Sequence, residues 1–353
     1  MSEQHSILII NPGSTSTKIA HSIDGTIVER DTIQHTVEEI RKYKTLWDQF
    51  PYRLKLCEQW ATERITECSA VVSMGGLLRS VEGGTYLVNE KMLNDARANL
   101  QGEHASNLGC ALAQTISSKY NCPAYIVDPV SVDEFEPLAY YSGHPKIKRR
   151  SLSHALNIHA AARRAAEELK LPLSHSSFVI CHLGGGISIA PVRSGKIIDV
   201  NDASSDGPFS PERTGGLPLQ PFISLCFSKE FNETDIRKLV MGKGGLVAYL
   251  GTNSVVEVEK RIENGDMEAL NVYQAMAYQI SKEIGAMAAV LSGKMNAIVL
   301  TGGIAHSKIL ISWIIDRVQF ISRVLVFPGE DEMLALAQAG LRVLNQLEQA
   351  KEY

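Results

Sequence analysis

The sequence predicts an α/β protein built from two related halves, and three observations carry that prediction. Short apolar runs alternate with longer Ala- and Leu-rich stretches along the 353 residues, the pattern of strands interleaved with helices. One hairpin pattern is used twice: Ile7–Ile10 leads into Asn11-Pro12-Gly13-Ser14-Thr15-Ser16-Thr17-Lys18 and then Asp24-Gly25, and Phe178–Leu183 leads into Gly184-Gly185-Gly186 and then Ser194-Gly195. Polar or glycine residues stand after the strand ends at Asn11, Gly75, Asp128, Gly184 and Gly302, where α/β folds place their ligands.

The elements follow in order. Each hairpin copy reads strand, Gly-containing turn, strand, Gly turn, strand. The spacing from Gly13 to Gly25 is twelve residues and from Gly184 to Gly195 eleven. Residues 36–66 read as helical, broken at Pro51. Ala70–Met74 is a strand ending at Gly75-Gly76, residues 104–119 a helix on an Ala/Leu stripe, and Ala124–Val127 a short strand with Asp128 at its end. The Ala-rich stretch 155–169 is helical, and so is 266–293, whose small residues Ala275, Ala277, Gly285, Ala286, Ala288 and Ala289 allow close packing. Asn296–Thr301 is a buried strand ending at Gly302-Gly303, Arg323–Phe327 another closed by Pro328-Gly329, and 332–350 the last helix.

Composition narrows the function. Charged residues are 21%, hydrophobic residues 44% and the net charge −4, with no long basic run. That argues against a nucleic-acid or anionic-membrane surface. Six cysteines without a CxxC pair signal neither a zinc site nor a disulfide framework. No apolar run has the length of a membrane span, and a strand begins within a few residues of the N-terminus, so a cytosolic protein is expected.

The first turn is too polar for a turn alone. Asn-, Ser- and Thr-rich nests of backbone N–H groups bind phosphate, and two such hairpins, one per half, imply two related domains that grip a polyphosphate. The bland alternative, two ordinary hairpins, accounts for Asp24-Gly25 and Ser194-Gly195 but not for the side chains from Asn11 to Lys18. No GxGxxG opens a helix, and Gly242-Lys243 is followed by Gly244 rather than Ser or Thr, so neither a Rossmann site nor a Walker A loop is present.

At Asn11–Lys18 the chain resembles the acetokinase family, the acetate, propionate and butyrate kinases, and His182-Leu183-Gly184-Gly185-Gly186-Ile187-Ser188 is similar to that family's second signature. The short length, Pro12 and Thr15, Gly75-Gly76-Leu77-Leu78-Arg79 and Gly245–Asn253 resemble its butyrate-kinase branch. The resemblance implies two ribonuclease-H-like domains of the actin/Hsp70/sugar-kinase type with mixed five-stranded sheets. Their expected extents are residues 1–150, to which a C-terminal helix 333–353 returns, and residues 151–332, which carry the nucleotide site. It implies transfer of phosphate from ATP to a short-chain carboxylic acid, giving ADP and an acyl phosphate, with Mg2+, in a homodimer or larger homo-oligomer.

Site residues follow from the same resemblance. Asn11, Ser14, Ser16 and Lys18 fall in the first phosphate loop, and Gly184, Gly185 and Gly186 in the second. Arg79 stands before Ser80-Val81-Glu82-Gly83-Gly84, with Glu82 where acetate kinases carry a histidine. Asp128 helps position magnesium or its water. His182 faces the transferring phosphoryl group, with His154 as the second site histidine and His159 as its alternative. Arg213 is the second essential arginine, Gly302, Gly303 and Ile304 lie on the adenosine side, and Asn11 and Glu332 attend the metal. Without the resemblance, Asp128 reads equally as a turn cap beside Pro129 and Glu332 as a first-turn carboxylate complementing a helix dipole. A carboxylate needs no general base, so direct in-line transfer is expected. The rival readings are another acid of the same family and a nucleotide-dependent binding module without catalysis.

Overall fold

In the computed structural model, which describes residues 4–353, the duplicated hairpins open two sheets of the same order. The first sheet runs β3-β2-β1-β4-β6-β5, from β1 (Ser6–Pro12), β2 (Ser16–Ile23), β3 (Thr26–Gln34), β4 (Ala70–Met74), β5 (Thr85–Leu87) and β6 (Ala124–Val127). After a separate small hairpin of β7 (Tyr141–His144) and β8 (Ile147–Lys148), the second sheet runs β11-β10-β9-β12-β13, from β9 (Ser177–Leu183), β10 (Ile187–Arg193), β11 (Lys196–Ile197), β12 (Ala297–Gly302) and β13 (Val324–Pro328). In each, an antiparallel hairpin leads by a parallel pairing into the rest: β1 beside β4, and β9 beside β12.

The first sheet therefore has six strands rather than the expected five. Thr85–Leu87 adds antiparallel to β6, and three residues between glycines and Asn89 are too few to show an alternating pattern. Pro51 does not break a helix; it stands in the first turn of Phe50–Arg64, where its missing N–H is no loss. Before it lie only a short helix, Val37–Ile40, and a single tight turn, Trp47–Gln49.

The chain divides into two units, one of residues 1–133 with 331–353 and one of residues 134–330. The second begins earlier than the expected residue 151. Residues 134–150 are bonded into it: Ile197 N–H donates to the Glu134 carboxylate (2.7 Å), Glu136 N–H to Ile198 O (2.9 Å) and Arg149 to Val200 O (3.0 Å).

In the first unit, alternate residues of β1 serve the two faces. Leu8 and Ile10 join the core with Trp60, Met92 and Leu112 from the helices Phe50–Arg64, Glu90–Arg97 and Gly109–Tyr120. On the other face lies the helix Glu332–Leu344. Gly340 lets it approach: a Cβ there would meet Val72 at 2.7 Å. In the second unit, Val179, Cys181 and Leu183 of β9 pack with Tyr273, Met276 and Ile280 of the long helix Met267–Val290 and with Leu310 and Ile314 of Lys308–Val318. The intervening Phe178, Ile180 and His182 face the side of the helix Ala155–Glu168. Among the described residues no helix is long and apolar enough to cross a membrane.

Candidate active site

In the first unit the turn from β1 to β2 closes with Gly13 N–H donating to Ser16 O (2.8 Å). Beneath it lies a residue that sequence reading missed. Arg53, 1% exposed on the helix Phe50–Arg64, donates to Gly13 O (2.8 Å), Ser14 O (3.3 Å) and Thr17 Oγ1 (3.2 Å), and is held by Gln49 Oε1 (3.0 and 3.1 Å). A buried guanidinium thus ties down the carbonyls of the turn, which favours outward-directed N–H groups. His35 supports the same turn, its Nε2 2.8 Å from Thr17 Oγ1; burial first, and the Arg53 charge second, push it down to about 4. Asn11 Nδ2 donates to Glu332 Oε2 (2.8 Å), and Lys18 Nζ reaches the same oxygen at 3.1 Å. Residues at opposite ends of the chain form one cluster at the end of β1.

Arg79 and Asp128 lie in this unit too. Arg79 is gripped bidentately by Asp95, Nε to Oδ2 at 2.5 Å and Nη2 to Oδ1 at 2.8 Å, while Tyr353 O–H donates to Asp95 Oδ2 (3.0 Å) and its ring lies under the guanidinium. The Asp95 carboxylate holds Arg79 more firmly protonated, and Arg79 holds Asp95 below the usual carboxylate range. Asp128 is buried with φ at +38°, a left-handed conformation costly for a residue with a side chain. Its Oδ1 accepts from Gly84 N–H (2.7 Å) and its own N–H donates to Gly84 O (3.0 Å), so the carboxylate is locked to the Gly83-Gly84 turn.

In the second unit the glycine turn Gly184–Gly186 joins β9 to β10, with Gly184 N–H donating to Gly186 O (3.1 Å). The guanidinium of Arg213 packs on Gly186: a Cβ there would stand 2.4 Å from Arg213 Nη1, so a larger residue would displace the arginine. Arg213 passes under the turn, donates to Ala203 O (2.9 Å), and is deprived of water by burial, which lowers its basicity. Ser210 O–H fastens the turn through Gly185 O (2.6 Å). His182 ends β9 and stacks on His154, ring centroids 4.2 Å apart; His154 Nδ1 lies 2.9 Å from Ser188 Oγ. Of the two alternatives, His154 is the histidine beside His182, whereas His159 is buried against Glu134 at 3.3 Å. Burial pushes His182 down to about 4 even though Glu330 stands 3.3 Å from its Nε2. That carboxylate is partly exposed and water weakens its pull, so the ring is neutral at pH 7. Gly302, at φ +93°, ends β12 with no room for a Cβ: Leu183 O would be 2.4 Å away.

Next to this turn opens a cavity of about 490 Å³, lined among others by Gly184, Gly185, Val255, Val256, Gly303 and Ile304. One end is glycine backbone, and the walls are partly apolar. That suits a phosphate-bearing ligand with a flat apolar part. The sequence model of the acetokinase family matches residues 137–344. A probable butyrate kinase of Listeria innocua is 47% identical over 353 residues, covering 99% of each chain.

The chain belongs to the acetokinase family.

A second relative, probable butyrate kinase 2 of Caldanaerobacter subterraneus subsp. tengcongensis, is 48% identical over 350 residues, 98% of this chain and 99% of that one. Among solved structures the fold is similar to the acetate kinase of Porphyromonas gingivalis (TM-score 0.76, 17% identity, covering 96% of this chain and all of that one). It is also similar to a propionate kinase of Francisella tularensis (TM-score 0.73, 18% identity, 95% and 98%). At those identities the likeness shows the two-domain kinase fold. A sucrose-bound ROK family protein of Streptococcus pneumoniae shares it more loosely (TM-score 0.53, 11% identity).

Magnesium is a fit for the first unit's cluster. The ion takes oxygen ligands, keeps several waters and needs only one or two protein carboxylates beside substrate phosphates. Glu332 and the side-chain carbonyl of Asn11, 2.8 Å apart through the amide nitrogen, are a donor set of that kind. Among the described residues no group of three His, Cys, Asp or Glu side chains forms an all-protein metal cage. Besides Arg53, sequence reading missed Asp95, Tyr353 and Glu330 as neighbours of the site residues. The only sequence signal was indirect: an Arg near the start of the helix Phe50–Arg64.

Proposed function

We propose that this member of the acetokinase family phosphorylates a short-chain carboxylic acid, butyrate or a branched relative, with ATP, giving an acyl phosphate and ADP. The observation that carries this reading is identity of 47–48% over the full length with proteins named probable butyrate kinases. The arrangement of the second unit supports it chemically.

In this reading the nucleotide occupies the cavity of the second unit, with adenosine on Gly302, Gly303 and Ile304 and the phosphates at Gly184–Gly186. Arg213, poor in water and with little carboxylate compensation, meets the developing charge on the phosphoryl oxygens, where a guanidinium fork outperforms a point charge. Neutral His182, ordered by the stacked His154 ring, directs a hydrogen bond rather than a cation at the same group. Ser14, Ser16 and Lys18 present donors to phosphate, and Asp128 fixes the turn that follows Arg79. Arg79, held in place by Asp95 and Tyr353, offers Nη1 to the acid's carboxylate. Magnesium, held by Glu332 and Asn11, would neutralise phosphate charge. The acid attacks as its carboxylate, so no side chain has to take a proton, and transfer proceeds in line without a phospho-enzyme.

The same reading includes a homodimer. The helix Leu219–Cys226 buries none of its residues, yet Leu219 (72% exposed), Ile223 and, just after it, Phe227 (81%) lie open. An apolar face of this kind suits a second copy of the chain. An ATP-consuming reaction of this type belongs in the cytoplasm, where the nucleotide is kept.

The test is ADP release, measured by a coupled assay with C2 to C6 acids. Stimulation greatest with butyrate or isobutyrate is expected. A clear preference for acetate would refute the assigned acid, and slow hydrolysis indifferent to any acid would refute the kinase itself.

A further inference from the structure

Glu259 stands in the nucleotide cavity without a part in phosphoryl transfer. It lies on the helix Val255–Glu263, where the 3.6-residue repeat brings Val255, Val256 and Glu259 to one face, and all three line the cavity. The cavity's other carboxylates are engaged elsewhere: Glu212 Oε1 accepts from Asn253 (2.5 Å), and Glu330 stands by His182.

A directed chain of hydrogen bonds fixes Glu259. Ser307 caps the helix Lys308–Val318, its hydroxyl accepting from Leu310 N–H (3.1 Å). Tyr273, fully buried, places its hydroxyl 2.9 Å from Ser307 Oγ and 3.3 Å from Glu259 Oε1. Ser307 Oγ is in turn in close contact with Glu259 Oε1. The acceptor capacity of Ser307 is taken by Leu310 and Tyr273, so its single proton points to Glu259. Oε1 is thereby tied into the protein, and Oε2 has no hydrogen-bond partner among the described residues, on a side chain that borders the cavity.

A fixed carboxylate accepts hydrogen bonds and repels phosphate. The phosphates therefore belong at the glycine turn Gly184–Gly186, and the flat base belongs on Val255, Val256 and Ile304. What remains of a nucleoside is its vicinal diol, two donors at the spacing one carboxylate oxygen can take, as acidic residues do in other nucleotide folds. We infer that Glu259 reads the ribose of the bound nucleotide, its Oε2 accepting from the 2′- and 3′-hydroxyls, with Ser307 and Tyr273 as its positioning residues. This rests on the assignment of the cavity to ATP and ADP.

The test is calorimetric binding of ADP, 2′-deoxy-ADP, 3′-deoxy-ADP and inosine diphosphate, which needs no turnover. Hydrogen bonds to a charged acceptor predict that the wild type loses on the order of tenfold or more in affinity when a hydroxyl is removed. Glu259→Ala should bind ADP and its deoxy forms alike, near the wild type's deoxy affinity. Glu259→Gln should keep part of the discrimination, and Tyr273→Phe should weaken it less than Glu259→Ala. If folded Glu259→Ala still discriminates as the wild type does, the inference is overturned. It is equally overturned if Glu259→Ala changes only the ADP to inosine diphosphate ratio, since the carboxylate would then read the base. Ribose discrimination without acid-stimulated ADP release would leave the inference standing and refute the kinase. Failure of the wild type to bind ADP at all would refute both.

Discussion

Replacing Arg53 by methionine probes how the first phosphate turn is held. The substitution keeps the buried stem and removes the guanidinium that donates to Gly13 O at 2.8 Å, Thr17 Oγ1 at 3.2 Å and Gln49 Oε1 at 3.0 Å. Each bond from a charged donor contributes ~1.5–3 kcal/mol, and three acceptors in a dry site lose their partner together. Against this, the unfolded state no longer gives up the hydration of a charge, which returns a few kcal/mol. The balance is a loss of about 3 kcal/mol. For a unit of this size each kcal/mol moves the melting temperature by roughly 2–4 °C, so the first unit should melt ~6–12 °C lower. Turnover should fall further, because Ser14 and Ser16 lose the alignment that Arg53 gives their carbonyls. Calorimetric melting and steady-state kinetics with ATP as the varied substrate measure both. Arg53→Lys should recover only a minor part, since a single ammonium cannot span Gln49, Gly13 and Thr17. If Arg53→Met melts within ~2 °C of the wild type and keeps kcat/KM within about twofold, the bond from Gly13 N–H to Ser16 O suffices, and the guanidinium is incidental.

Two further outcomes are expected. Arg213→Ala should lower kcat by on the order of 10³-fold with little recovery in Arg213→Lys; retention of more than about a tenth of wild-type kcat, a loss under ~1.4 kcal/mol, would show that the arginine braces the Gly186 turn without touching the reaction. Stability should fall with acid. Burial holds His35 and His182 at about 4 in the folded protein against roughly 6.5 in the unfolded chain, so the unfolded state takes up more protons through that window. Their contribution is whole above pH ~6.5, declines as pH falls, and is gone near pH 4. Urea midpoints at pH 7 and pH 5 should differ by less in His35→Gln than in the wild type, and an equal difference would place the titration on other groups.

What could be read from the sequence was local. The two hairpins were legible because apolar runs and turn glycines act within a dozen residues, and the long helix Met267–Val290 because small residues run along its whole length. Strand β5 was not legible, since three residues carry no period, and Pro51 was misread because a proline that starts a helix and one that breaks it look alike without the neighbouring turn. The histidine choice was open for the same reason. His154 stands just before the helix Ala155–Glu168 and His159 within it, and only the packing of that helix on β9 turns one toward His182 and the other toward Glu134.

The sequence by itself determined the alternation of strands and helices, the duplicated turn, the acetokinase signatures and the glycines at strand ends, since these depend on backbone geometry and on residues adjacent in the chain. Only the tertiary structure decided which charges meet. It set Arg53 under a turn 40 residues away, placed Glu332 on Asn11 across 321 residues, bound Arg79 to Asp95 and Tyr353, and aimed Ser307 at Glu259. Such pairings leave no mark in local pattern. They arise when burial of the apolar faces brings distant polar groups together, and once these are out of water each has to find a partner.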